Sequence, residues 1–205
     1  MEQLIRKDEF TELASIGNLK LPRISALLMN LLSINKVNDF YARNAEKEAI
    51  PFIDALFEEL NLHFEVAAED IEKLPRTGAF ITVSNHPFGG IEGLFLIKLL
   101  QQQRPDARIL ANFLLQRIDP ISNAILPVNP FEEKRGVKSN FSGLKFALQH
   151  LENGHPLGTF PAGEVSCFQT NSKTIADREW QSGILKMIQK SHLPVIPIFF
   201  HGKNS

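Results

Sequence analysis

Residues 84–93 read Ser-Asn-His-Pro-Phe-Gly-Gly-Ile-Glu-Gly, and they carry the most chemically informative spacing in the chain. His86 is followed by Pro87 and by Gly89 and Gly90, a run that forces a tight turn. Glu92 then falls in the first turn of a helix, where the helix dipole favours an anion. Such a turn folds the chain back so that Glu92 reaches the far ring nitrogen of His86. A carboxylate there fixes the imidazole tautomer and supports a general base. A plainer reading stays open: a helix-capping Glu beside a His that only hydrogen-bonds its own turn.

Other uses of a His–Glu pair lack their remaining parts. No G-x-S-x-G stretch supplies a serine nucleophile, and no H-E-x-x-H or histidine cluster supplies a metal site. The other histidines, His63, His150, His155, His192 and His201, are scattered, and only His201 is expected near the same rim. The chain thus offers a base without a nucleophile of its own. The nucleophile is then expected to be a hydroxyl or amine of the substrate.

Two further segments have site-like composition. Phe160-Pro161-Ala162-Gly163-Glu164-Val165-Ser166 holds a Pro/Gly turn that places Glu164 and Ser166 over a sheet rim. Pro127 through Arg135 ends in Lys134 and Arg135, which are suited to holding an anion, Arg135 through a bidentate fork. The simpler alternative for both is solvated loop residues.

The elements that must position these loops follow from periodicity. The first sixty residues read as helical, with Ile24, Leu27, Leu28, Leu31 and Leu32 at helical spacing. A second helix over about residues 47–60 carries Ile50, Ile53, Leu56, Phe57 and Leu60. These stripes fit packing against the core or contact with a bilayer surface. From residue 62, short apolar runs alternate with helical segments. Strands are expected at 62–66, 79–84, 107–113, 124–128, 157–160 and 195–200, and helices at 91–103, 114–122, 137–152 and 177–190. The alternation predicts an α/β fold, a mostly parallel central sheet flanked by helices, with an N-terminal helical segment over 1–60 and the α/β domain over 61–205. In such sheets a site forms beyond the carboxyl ends of the strands, which selects the loops after Ser84, Val128 and Phe160.

Composition narrows the function classes. The 205 residues are 43% apolar and 22% charged, which excludes disorder. Lys and Arg total 22 against 23 Asp and Glu, a net charge of −1 that gives no reason to bind nucleic acid. Cys167 is the single cysteine, so no internal disulfide or thiolate metal framework is expected. Sixteen Phe against one Tyr and one Trp suit a core or a groove for acyl chains. The longest apolar stretch, residues 24–32, falls short of the roughly 20 residues a spanning helix needs. The N-terminus MEQLIRKDEF has no apolar signal-peptide core. A cytoplasmic protein, peripheral on the inner face of the cell membrane, is the expectation.

The order of these blocks resembles the lysophospholipid acyltransferases of the glycerolipid type. That family carries N-H-x4-D, a second block with a basic residue, F-P-E-G-T-R-S and V-P-x-x-P. The counterparts are Asn85-His86 through Glu92, Pro127 through Arg135, Phe160 through Ser166, and Leu193-Pro194-Val195-Ile196-Pro197. In style the blocks are most similar to the hemolysin-like or ornithine-lipid-type branch. The resemblance implies His86 and Glu92 as catalytic dyad, and Asn85, Lys134, Arg135, Phe160, Pro161, Gly163, Glu164 and Ser166 as substrate-binding residues. It also implies acyl-carrier protein or acyl-CoA as donor, a lyso-lipid acceptor, and no metal or organic cofactor. Three departures stand out: His86 and Glu92 are separated by five residues with Glu for Asp, Ala162 replaces a Glu, and Val165 replaces the phosphate-binding Arg. Without that Arg, an amino-acid-based lyso-lipid is the expected acceptor, with Glu164 available to an amino group. Family members continue past the fourth block, so a truncated C-terminus is expected. A lipid-binding module without activity and a thioester hydrolase are the alternatives to acyl transfer.

Overall fold

A computed structural model describes Leu4 and residues 33–128, 140–170 and 173–202, and it omits the side chains of 140–142. The N-terminal stripe at Ile24–Leu32 and the basic pair Lys134 and Arg135 lie outside the described residues.

Strands β1 (Ile81–Ser84), β2 (Arg108–Asn112), β3 (Ile125–Val128), β4 (Leu157–Thr159) and β7 (Val195–Ile198) form one sheet, in the order β3-β2-β4-β1-β7. Every pairing in it is parallel. Its register sets Val83 beside Thr159 and Ser84 beside Ile198, so β1, β4 and β7 end almost level. The loops that begin at Asn85, Phe160 and Phe199 therefore leave the sheet side by side.

Helices cover both faces, because the strands are apolar on both. On one face lie α1 (Ile34–Asn44), α2 (Ala49–Glu59) and α4 (Gly90–Gln103), where Phe52, Ile53, Phe57, Leu96 and Leu100 join Ile109 and Ile125 of the strands. On the other lie α6 (Asn140–Glu152) and α7 (Ser182–Ser191), where Ala147, Leu151, Ile184 and Met187 meet Ile81, Val83, Leu110 and Leu126. Neighbours Ile109 and Leu110 thus serve opposite cores, as strand alternation requires. The stripe of α2 is a packing stripe, with Ile53 fully buried, although Leu60 at its end is exposed. No described helix is long and apolar enough to cross a membrane.

Four expectations need correction. Residues 62–66 form no strand: Leu62 and Phe64 pack on the helical face, where Phe64 stacks on Phe95 with centroids 4.3 Å apart. Residues 114–122 are split into a 3₁₀ turn (Phe113–Arg117) and the short α5 (Asp119–Ser122), since Pro120 starts a helix better than it continues one. Residues 177–181 form no helix, and α7 begins only at Ser182. The antiparallel hairpin of β5 (Cys167–Gln169) and β6 (Thr174–Ala176) was not expected, nor was the short helix α3 (Ala68–Ile71).

Candidate active site

His86 lies two residues beyond the end of β1, past the last ladder pair at Ser84. Its chain is held there by side chains rather than by the sheet. The amide of Asn85 bridges to β7's exit, donating from Nδ2 to the Phe200 carbonyl at 2.9 Å and accepting the Phe200 amide at 2.7 Å. The His86 amide donates to Asp177 Oδ1 at 3.1 Å, and the His86 carbonyl accepts the Ser166 amide at 2.8 Å.

The turn after His86 works because Gly89 takes φ +86°, a left-handed conformation that costs glycine little. It starts α4, and Glu92 becomes the third helical residue. Oε1 of Glu92 accepts the amides of Phe88 at 2.8 Å and Gly89 at 2.9 Å, which is the carboxylate half of a capping box. Glycine at the N-cap has no side chain to return the other half. The same Oε1 lies 2.8 Å from His86 Nδ1. That distance is within ion-pair range, but the ring N–H does not point along it, so the contact is electrostatic rather than an aligned hydrogen bond. Imperfect alignment is common before substrate binds. Glu92 is fully buried, and no described residue bonds its Oε2. The extra residue relative to N-H-x4-D is absorbed by the Gly89 turn, and the longer Glu side chain reaches back to the ring.

His86 also forms part of the wall of a cavity of about 630 Å³. The rest of that wall is mainly aliphatic, with Leu94, Ile97, Leu115, Ile118, Ile121 and Ile184 among it. The expectation of a phenylalanine-lined groove is corrected here: Phe160 is the one Phe among the described lining residues, and its ring packs 4.4 Å from the His86 ring. Phe40, Phe52, Phe57, Phe80 and Phe200 are buried in the core, while Phe113, Phe146, Phe168 and Phe199 are exposed. Apolar walls of this extent match an alkyl chain better than a polar metabolite.

The third block is divided. Gly163, Glu164 and Val165 line the cavity with Phe160. Pro161 accepts the Gln181 amide at 2.9 Å, and Ser166 donates its hydroxyl to Asp177, so neither faces the cavity. Asn85 likewise joins β1 to β7 outside the lining. Glu164 pairs with Arg178 at 3.1 Å on the surface. Gly163 has φ +69°, and a Cβ there would lie 1.9 Å from Gln181 Nε2, so only glycine fits without displacement. His201 stays exposed against Phe199, away from the cavity lining.

Asp177, Arg178 and Gln181 escaped the sequence reading because residues 177–190 looked like one helix. The signal was present in Asp-Arg-Glu-Trp, four polar or bulky residues without helical apolar spacing. A second polar cluster, missed because its histidines are scattered in sequence, lies at the opposite end of the sheet. There Asp106 contacts Arg104 at 2.8 Å and His155 Nδ1 at 2.6 Å, and the rings of His150 and His155 lie 5.1 Å apart. Burial favours an uncharged Asp106, but hydrogen bonds from Arg104 and His155 and the Arg104 charge outweigh it and hold the carboxyl at about 2. Burial lowers the pKa of His150, whose Nε2 bonds the Pro156 carbonyl at 3.1 Å. Among the described residues no three His, Cys, Asp or Glu side chains converge as metal ligands.

A family model described as acyltransferase matches residues 25–205. A lyso-glycine lipid O-acyltransferase of Phocaeicola vulgatus is 28% identical over 187 residues, covering 90% of this chain and 64% of that protein. The lyso-glycine lipid O-acyltransferase of Bacteroides thetaiotaomicron is 29% identical over 184 residues, covering 89% of this chain and 64% of its own. The chain thus spans about 64% of the length of these curated relatives.

Proposed function

Because the chain belongs to the acyltransferase family, we propose that it moves a fatty acyl group from a thioester to the hydroxyl of a lyso-lipid. The observation that supports this most is the pairing of His86 and buried Glu92 at the wall of an aliphatic cavity. In this reading Glu92 holds the imidazole proton at Nδ1 and leaves Nε2 as the base. Nε2 takes the proton of the acceptor hydroxyl as its oxygen attacks the thioester carbonyl carbon. The tetrahedral intermediate collapses to the ester, and the departing thiolate receives the proton back from the imidazolium. The Phe88 and Gly89 amides are already committed to Glu92. Stabilising the oxyanion therefore falls to later first-turn amides of α4, at Gly90 and Ile91, both lining residues.

The donor in this proposal is an acyl-carrier protein or acyl-CoA thioester. The acceptor is an amino-acid-based lyso-lipid, as the names of the two relatives indicate for those proteins. Work at a membrane surface accords with a water-insoluble acceptor. The test is incubation of the protein with a labelled acyl thioester and lyso-glycine lipid. Labelled diacyl product that disappears in His86→Ala supports the proposal. Release of labelled free fatty acid without any acceptor would replace it with thioester hydrolysis, and neither product would leave only lipid binding.

A further inference from the structure

The geometry points to Asp177 as a positioning residue for His86. Three residues, His86, Ser166 and Asp177, close a ring of hydrogen bonds around the backbone of His86. Asp177 Oδ1, just past the end of β6, accepts both the His86 amide at 3.1 Å and the Ser166 hydroxyl. Ser166 in turn donates its amide to the His86 carbonyl at 2.8 Å. The backbone of His86 is therefore gripped from both sides, by Asp177 at N–H and by Ser166 at C=O, and Asp177 also fixes Ser166.

That grip matters because the sheet gives none. The ladder ends at Ser84, and the Asn85 bridge to Phe200 restrains the residue before the histidine, not the histidine itself. Glu92 orients the ring, yet it belongs to the helix on the far side of a glycine turn. Without Asp177 the imidazole would keep its partner but lose its fixed distance from the cavity. A displacement of about 1 Å at a catalytic group costs on the order of 10²-fold in rate. Asp177 is not among the residues that line the cavity but bonds His86, which is, so its effect passes through His86. This role rests on the reading of His86 as the base.

Activity and backbone order are tested together on the whole chain. Asp177→Ala is expected to lower kcat about 10- to 100-fold with KM nearly unchanged. Asp177→Asn keeps an Oδ1 acceptor and should regain most of the rate. Ser166→Ala retains the amide bond to His86 and should lose less than Asp177→Ala. Hydrogen exchange at the His86 amide should quicken in Asp177→Ala and not in Asp177→Asn. A folded Asp177→Ala protein with undiminished kcat, or with unchanged exchange at that amide, overturns the assignment. If the wild-type protein transfers no acyl group, or His86→Ala remains active, the acyltransferase reading fails on its own, and exchange at the amide still decides the positioning role.

Discussion

One oxygen of Glu92 serves three partners: Oε1 lies 2.8 Å from His86 Nδ1 while it accepts the amides of Phe88 and Gly89. Helix capping and orientation of the imidazole are therefore the same interaction, and a substitution at Glu92 acts on both. The two readings that the sequence left open, cap and dyad, are not alternatives in this geometry.

Glu92→Gln keeps an oxygen that can accept the two amides, so the protein should fold with little loss of stability. Its amide cannot stabilise a charged imidazolium, and kcat should fall about 10²- to 10⁴-fold, the usual range for general-base support. Glu92→Ala should lose the cap as well, at a further cost of about 1 kcal/mol in stability. Urea denaturation alongside steady-state kinetics separates the two effects. Equal loss of stability in both variants would show that charge, not capping, stabilises the helix start.

The nearness of His86 to Glu92 was legible because their loop follows a strand end in a parallel sheet, and Pro and Gly mark such turns plainly. What stayed hidden depended on contacts far apart in sequence. Asp177 sits 91 residues from His86, and no local pattern shows that the two meet. The 62–66 segment alternates like a strand, but its Phe64 has a stacking partner in Phe95 on the helical face. The strands expected at 107–113 and 124–128 were legible as short apolar runs because both sheet faces are buried, Ile109 and Ile125 in one core and Leu110 and Leu126 in the other.

Gly163→Ala should destabilise the third block by about 1–2 kcal/mol, the cost of a left-handed backbone for a residue with Cβ. The added methyl also displaces Gln181, whose Nε2 would lie 1.9 Å from it. Both residues line the cavity, so acyl transfer should fall with stability. Thermal melting and initial rates read the two, and an unchanged melting temperature would mean that the loop relaxes freely.

Stability should decline as pH drops, in two windows. His150 has a folded pKa below its ordinary 6.5 because burial disfavours the charged form, so the unfolded chain binds a proton first. Its contribution is complete above 6.5 and is lost as pH falls through the lower folded value. Asp106 is held at about 2 against an ordinary 3.8, so its contribution is present above 3.8 and fades between 3.8 and about 2. Urea midpoints measured from pH 7.5 to 3 should fall below pH 6.5. His150→Gln should flatten the upper window only, and Asp106→Asn the lower only.

Filling the cavity should change which acyl chain is used. Ile97 and Ile121 are buried residues of its wall, beside the more open Leu115. Leu115→Trp adds bulk from the surface side, where overpacking strain is relieved most easily. Transfer of long chains should fall severalfold while short chains are used as before, in competition assays with mixed thioesters. Equal loss at every length would mean that the alkyl chain lies elsewhere.

The acceptor's head group is expected to meet Arg178 rather than Glu164. Glu164 was assigned to an amino group on the sequence alone, but its carboxylate is engaged at 3.1 Å by Arg178 Nε. A lipid attached through the nitrogen of glycine keeps a free carboxylate and no free amine. Both partners of the pair are well exposed, with side chains 61% and 44% accessible, and such pairs exchange cheaply. An incoming carboxylate can therefore displace Glu164 from the guanidinium and bind it as a fork. Asp177, one residue before Arg178, holds the His86 amide, so Arg178 adjoins a residue bonded to the proposed base. Arg178→Gln should raise KM for lyso-glycine lipid severalfold with kcat little changed, and Glu164→Gln should lower it. The methyl ester of the same acceptor, lacking the charge, should bind wild type and Arg178→Gln alike. An equal rise in KM for the ester would assign Arg178 to folding of the loop and not to recognition of the acceptor.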